Sequence, residues 1–239
     1  MRRELRPVVE AHLVFTLGAT LAAMGDLAGQ ERRGSWNWPG RSAVIGLMGA
    51  ALGIRRHGDF QALDALAVAV AEFETGTPMR DFHTVQTVPT AVVKFPQTRA
   101  AALRDAGDRV NTVLTQRDYR CDVLYGVAVR GAGLEVIAQA LRHPVFTPYL
   151  GRKSCPLNTP LAPLIVEASS AVEALAHVQV PEWHADSVAR LIHEEPGMGH
   201  EPELQRSARH DRASERDRWH FSSREVVTRT CAITPQVMA

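Results

Sequence analysis

The chain has 239 residues, 45% apolar content and a formal net charge of +1. A chain of this length buries about 70–75% of its unfolded surface, so a core is available without disulfides or metals. The charge balance excludes a protein that coats nucleic acid indiscriminately, while leaving room for local basic patches.

At the N-terminus, Arg2 and Arg3 ahead of the apolar stretch Leu13–Ala23 have the outline of a signal peptide. Glu4, Glu10 and His12 interrupt that outline, and the run is too short to span a membrane. Cys121, Cys155 and Cys231 lie far apart, without metal or redox spacing, and read as reduced thiols. A cytoplasmic protein with no membrane contact is expected.

His12–Leu17 is a β-rich run ending at Gly18 and predicts a buried strand. Residues 25–40 are loop-like, rich in glycine, with Arg32, Arg33, Trp36 and Trp38 among them. Residues 41–54 place apolar side chains at 44, 45, 48, 51 and 52, which is helical spacing. Asp59 is suited to cap a short helix over 60–66. Val68–Phe73 alternates as a second strand. From 76 to 118, Pro78, Pro89 and Pro96 break the pattern, and β-rich pieces near 84–88 and 91–94 suggest an insertion carrying a hairpin or finger. Residues 120–129 read as a strand, Leu134–Leu141 as an amphipathic helix stopped by Pro144, and Leu164–Ala168 as a fourth strand. The order is that of a βαββαβ ferredoxin-like sandwich of the α+β class. Beyond about 170 a helix is expected over 170–177. Charged residues then dominate as far as Trp219, with a mobile loop near 195–217, and 226–233 forms a last strand. Residues 1–170 are therefore assigned to the main domain and 171–239 to a small β-rich appendage.

The leading candidate site is the stretch Phe146–Leu157, in which Tyr149 and Leu150 run into Gly151-Arg152-Lys153-Ser154 before Cys155 and Pro156. Glycine allows backbone to approach a ligand closely, and two cations with a hydroxyl offer donors to phosphate. Tyr149 and Phe146 add stacking surfaces, the mixture that single-stranded nucleic acid prefers. Taken alone, such a turn can equally be a solvated surface loop. Arg32, Arg33 and Arg41 around Trp36 and Trp38 form a second basic and aromatic cluster. There the tryptophans can either present π-faces or anchor the loop to the core. Arg41 could bring its charge to a helix N-terminus that already favours phosphate. His83, close to Arg80, could act as a general base on a 2′-hydroxyl or be a hydrogen-bonded structural histidine. Five of the ten histidines fall between His184 and His220 at spacings that match no zinc pattern. No catalytic motif, metal ligand set or cofactor fingerprint is evident.

Four segments, in order, resemble the CasD family (CRISPR-associated family five) of type I-E Cascade. They are Trp38–Ile54, Arg80–Val85, Tyr119–Asp122 and Phe146–Leu157, with a weaker echo at Ser222–Glu225 that includes Arg224. Met24 stands where that family usually has tryptophan, and Gly40 where it usually has threonine. The resemblance implies a RAMP protein on an RRM-like ferredoxin fold, with a thumb-like insertion at about 76–118. It implies a non-catalytic RNA-binding subunit, needing no cofactor, that caps the Cascade backbone and holds the 5′ handle of CRISPR RNA. Its implied neighbours are the repeated backbone subunit and the large PAM-recognising subunit, and it meets target DNA through the complex. Arg41, Tyr149, Gly151, Arg152, Lys153 and Ser154 are the expected RNA contacts, followed by Arg32, Arg33, His83 and Arg224. The alternative function is a metal-independent endoribonuclease acting on CRISPR repeat RNA, with His83 as its suspect.

Overall fold

The structure, a computed structural model, describes residues 8–26, 29, 31–218 and 220–238. Arg2, Arg3, Glu4 and Trp219 lie outside the described residues. The apolar run read against a signal peptide is the heart of β1 (Glu10–Ala22), where Leu13, Val14, Phe15 and Leu17 are fully buried. Short β2 (Arg32–Arg33) and α1 (Arg41–Ala51) follow, then α2 (Gln61–Asp64), β3 (Ala67–Glu74) and β4 (Thr77–Thr87). Next come α3 (Arg99–Ala106), the long β5 (Asn111–Arg130), α4 (Leu134–Arg142), β6 (Leu164–Ala168) and α5 (Ala171–Leu175). The chain closes with β7 (Gln179–Val180), β8 (Ala189–Glu194), β9 (Glu203–Glu215), β10 (His220–Ile233) and β11 (Gln236–Val237). Among the described residues no helix is long and apolar enough to cross a membrane.

This is a mixed α/β architecture dominated by one antiparallel sheet in the order β6-β1-β5-β3-β8-β10-β9. Strand alternation divides its central strands between two cores. Leu13, Phe15 and Leu17 of β1, with Tyr125, Val127 and Val129 of β5, pack under α1 and α4. Val14, Leu124 and Ala128 face the other way, onto α5, Val178 and Ile192. Residues beyond 170 therefore do not stand apart from the main sheet. They cover the second face of its central strands and widen the sheet past β3.

Two departures from expectation have clear physical causes. Residues 195–217, read as a mobile loop, hold β9, which pairs along its length with β10 from Arg229↔Glu203 to His220↔Glu215. Its polar sequence carries no apolar alternation, because it is the sheet edge and its partners lie across the strand. The 76–118 insertion is a β4–β5 hairpin running from Thr77↔Cys121 to Thr87↔Asn111, with α3 at its tip. Residues 91–94 are turn, not strand, held between Pro89 and Pro96. Where hairpin meets sheet, Gly76 (φ 66°) and Asp122 (φ 57°) take left-handed conformations. Arg120 braces this joint by donating to the carbonyls of Thr75 and Gly76 and to Asn37 Oδ1.

Candidate nucleic-acid interface

After α4 the chain zips onto the end of α1, where Val145 N donates to Ala51 O at 2.9 Å and Phe146 N to Ala50 O at 3.1 Å. These bonds satisfy carbonyls that the helix end leaves open. The Gly-Arg-Lys-Ser loop then closes as a tight hairpin. Tyr149 bridges to Pro156, Leu150 N donates to Cys155 O at 2.8 Å, and Cys155 N donates to Arg152 O at 2.8 Å. Leu150 and Cys155 point inward, and burial pushes the Cys155 thiol above its ordinary value. Gly151 adopts φ 89° directly against the end of β1, where a Cβ would stand 1.6 Å from the Ala23 carbonyl oxygen. Ala23 N in turn donates to Leu150 O at 3.1 Å. The glycine is thus used for close approach to the protein's own backbone, which aims the loop.

That placement turns Arg152 across β5. Its guanidinium lies 4.4 Å from the centre of the Tyr119 ring, and Nη2 donates to Arg33 O at 3.4 Å, while Nη1 is buried with no hydrogen-bond partner. The two basic clusters of the sequence are therefore one corner. β2 runs parallel to β5 with Arg33 in register with Arg117, so like charges sit side by side on neighbouring strands, an arrangement that repels. Among the described residues Arg33, Arg117, Arg152 and Lys153 have no carboxylate partner. Arg32 and Arg80 share a single carboxylate, Asp118, at 2.8 and 2.7 Å. Hydrogen bonding from Arg80, reinforced by Arg32, holds the Asp118 carboxyl below its ordinary value. Lys153 and Ser154 are exposed on the same loop, and Tyr149 is 38% exposed.

Three of the expected contacts stand elsewhere. Arg41 is 2% exposed, and its guanidinium donates to Leu66 O, Asp64 O and Glu195 Oε1 at 2.7, 2.7 and 2.9 Å. Its charge is directed inward as a strut between α1, α2 and the start of the C-terminal region, and burial lowers its pKa. The helix N-terminus that sequence offered to a phosphate is taken by Asp211 Oδ2, which accepts from Arg41 N at 2.8 Å. Gly40 leaves room for it, because a Cβ there would lie 2.3 Å from the same oxygen. Arg224 grips the same carboxylate with Nε and Nη2 at 2.6 and 3.0 Å, which leaves its side chain only 8% exposed. His83 lies six residues up the hairpin from Thr77, about 20 Å at the usual strand rise, with Nε2 against Asp81.

Sequence reasoning missed Arg209, Asp211, Asp118 and the packing role of Tyr119. Arg209 sits with its guanidinium carbon 3.9 Å from the Trp38 ring centre and 4.9 Å from that of Trp36. Burial lowers its pKa to about 10. Trp38 also stacks on His193 at 4.2 Å and 4°, and His193 is held by Glu72 and Thr228. No local pattern advertises these partners, since they come from β3, β5, β8, β9 and β10, far apart along the chain.

The sheet, its joined hairpin and the cationic loop define the chain as a protein with a basic corner presented by a rigid α/β scaffold. The family described as CRISPR-associated protein (Cas_Cas5) matches residues 12–227. The chain belongs to that family. It is 29% identical over 191 residues to the Cascade subunit CasD of the CRISPR system of Escherichia coli (strain K12), covering 72% of this chain and 78% of the relative. In fold it is similar to a chain of a CRISPR RNA-guided surveillance complex, with TM-score 0.67, 24% identity and coverage of 95% of this chain and 93% of that one. A crystal structure of a Cas protein superposes with TM-score 0.58 at 24% identity, over 93% and 95% of the two chains.

Proposed function

We propose that this chain is a non-catalytic RNA-binding subunit of a type I-E CRISPR surveillance complex, acting in antiviral defence. It holds the 5′ handle of CRISPR RNA at the corner formed by Arg33, Arg117, Arg152 and Lys153, with Tyr149 and Ser154 on the rim. One observation carries the reading. Among the described residues, cations from three separate segments converge without an ion pair to any carboxylate, in a chain many of whose other arginines are paired. Such an array is relieved by a polyanion, and the exposed Tyr149 beside it suits unpaired bases. The family membership and the CasD relative support the assembly. Its neighbours there are the backbone subunit and the large PAM-recognising subunit, and the β4–β5 hairpin is the thumb that reaches toward them. A ferredoxin-like core is supported by the order β6-β1-β5-β3, with α1 between β1 and β3 and α4 between β5 and β6. Arg41 and Arg224 serve this function as struts, not as contacts.

The test is a filter-binding titration of single-stranded handle RNA over a range of salt. Replacing Arg152→Ala with Lys153→Ala removes two phosphate partners, so the slope of log affinity against log salt should fall by about 1.4. The melting temperature should not change. Unaltered affinity and slope would refute the assignment. The same RNA incubated with the protein in EDTA is expected to remain intact. Specific cutting that depends on His83 would favour the endoribonuclease reading.

A further inference from the structure

Trp36 is 45% exposed although its loop is firmly held. Trp36 N donates to Gly25 O at 3.2 Å, and Ser35 Oγ accepts from Met24 N at 3.0 Å, so the loop is pinned to the chain leaving β1. Beneath the indole lies Arg209, whose guanidinium also covers Trp38, which is itself stacked on His193. A large aromatic side chain left half in water is ordinarily mobile. Here the ring rests on a column of flat groups that ends in a histidine fixed by hydrogen bonds at both nitrogens. Its ordering entropy is therefore spent in advance. The ring lies three residues along the chain from Arg33, within about 11 Å by chain reach.

We propose that the outward face of Trp36 is a stacking seat for one unpaired nucleobase of the RNA held at the Arg33–Arg152 corner. The inference rests on the RNA-binding reading and adds a specific base contact to it. The chemistry favours a base over an apolar protein side chain. One face of the indole lies on the Arg209 guanidinium, and the ring follows Arg33 by three residues in the chain, so its other face is left to meet a flat, polarisable partner beside a basic segment. Purines stack more strongly than pyrimidines, so a purine is the expected occupant.

The experiment uses the full chain and a short single-stranded handle RNA carrying 2-aminopurine at one position at a time. In the wild-type protein one position should be quenched on binding more than the others. Trp36→Leu should abolish that quenching and weaken affinity by roughly 5- to 150-fold, the range that loss of one base–aromatic stack brings. The salt slope should not change, because indole carries no charge. Trp36→Phe should retain most of both signals, and an unchanged melting temperature followed by far-ultraviolet circular dichroism checks that the fold is intact. Wild-type affinity and persistent quenching in Trp36→Leu would overturn the proposal and make the indole a protein contact. If Trp36→Leu fails in this way while Arg152→Ala with Lys153→Ala still weakens binding, only the stacking seat is lost. If the wild-type chain binds no RNA, both readings fail.

Discussion

Gly151→Ala is the substitution that tests most directly how the basic loop is aimed. The new Cβ would lie 1.6 Å from the Ala23 oxygen and 2.7 Å from its carbonyl carbon. Real contacts stay beyond about 3.0 Å, so one of the two backbones must retreat by roughly 1.4 Å or more. β1 cannot yield easily, because it is paired with β5 along its length as far as Ala22 opposite Arg120. The loop must move instead, and it forfeits the Ala23–Leu150 hydrogen bond, worth about 0.5–1.5 kcal/mol. A non-glycine residue at positive φ adds roughly 1–2 kcal/mol. The expected loss is about 1.5–3.5 kcal/mol, read as a melting temperature roughly 3–14 °C lower for a chain of this size. RNA affinity should fall with it, since Arg152 is carried away from Tyr119 and Arg33. Gly107→Ala is the control, with φ 54° and nothing within 4 Å of the added carbon, so only the backbone penalty remains. Equal losses at the two sites, or an unchanged melting temperature for Gly151→Ala, would refute the idea that β1 holds the loop in place.

Asp211→Ala should cost about 3–5 kcal/mol in urea denaturation, because Arg224, Arg209 and the start of α1 lose their shared buried carboxylate. Asp211→Asn, which can still accept from Arg41 N, should cost less. For Asp118, whose folded carboxyl titrates below its ordinary value, the stabilisation of the hairpin base is complete above the unfolded value near about 4. It is lost as pH falls through the lower folded value. Amide hydrogen-exchange protection factors in residues 77–80 and 116–121 should fall in acid, and in Asp118→Asn they should no longer depend on pH in that window.

Much of the fold was legible because its central strands and two main helices write their burial into local periodicity. Leu164–Ala168 matches β6 residue for residue, and α4 differs from its expected span by one residue. β8 and β9 were not legible. β9 is a polar edge strand whose partner lies beyond a turn, and β8 has only six residues, including a buried His193 and Glu194 that bond to distant groups. The site divides along the same line. Gly151, Arg152 and Lys153 could be read because a turn, two charges and an aromatic neighbour are consecutive. Whether a given arginine faces in or out could not, because that depends on where carboxylates from other segments fall. Arg41 and Arg33 are similar in sequence context, yet the Arg41 side chain meets Glu195 and two carbonyls, while Arg33 stands in register with Arg117 and among the described residues has no ion pair.

This difference explains how a chain with almost no net charge can present a nucleic-acid site. Charge balance over 239 residues says nothing of where the balance is struck. Buried pairs such as Arg229–Glu194 at 2.6 Å and Arg224–Asp211 at 2.6 Å consume cations and anions together and contribute no field outside. Arg206 is likewise satisfied by Glu203 and Glu225. At the Arg33–Arg152 corner Asp118 is already divided between two arginines, and among the described residues Arg33, Arg117, Arg152 and Lys153 form no ion pair of their own, so unpaired cations are concentrated within a few residues. Field from such a patch is screened over about 8 Å at physiological salt, which suits gripping a short segment of backbone and not a long duplex. Affinity of the wild-type chain for single-stranded RNA should therefore stop rising once the oligonucleotide is long enough to fill the corner. A continued rise with length would require a second cationic surface.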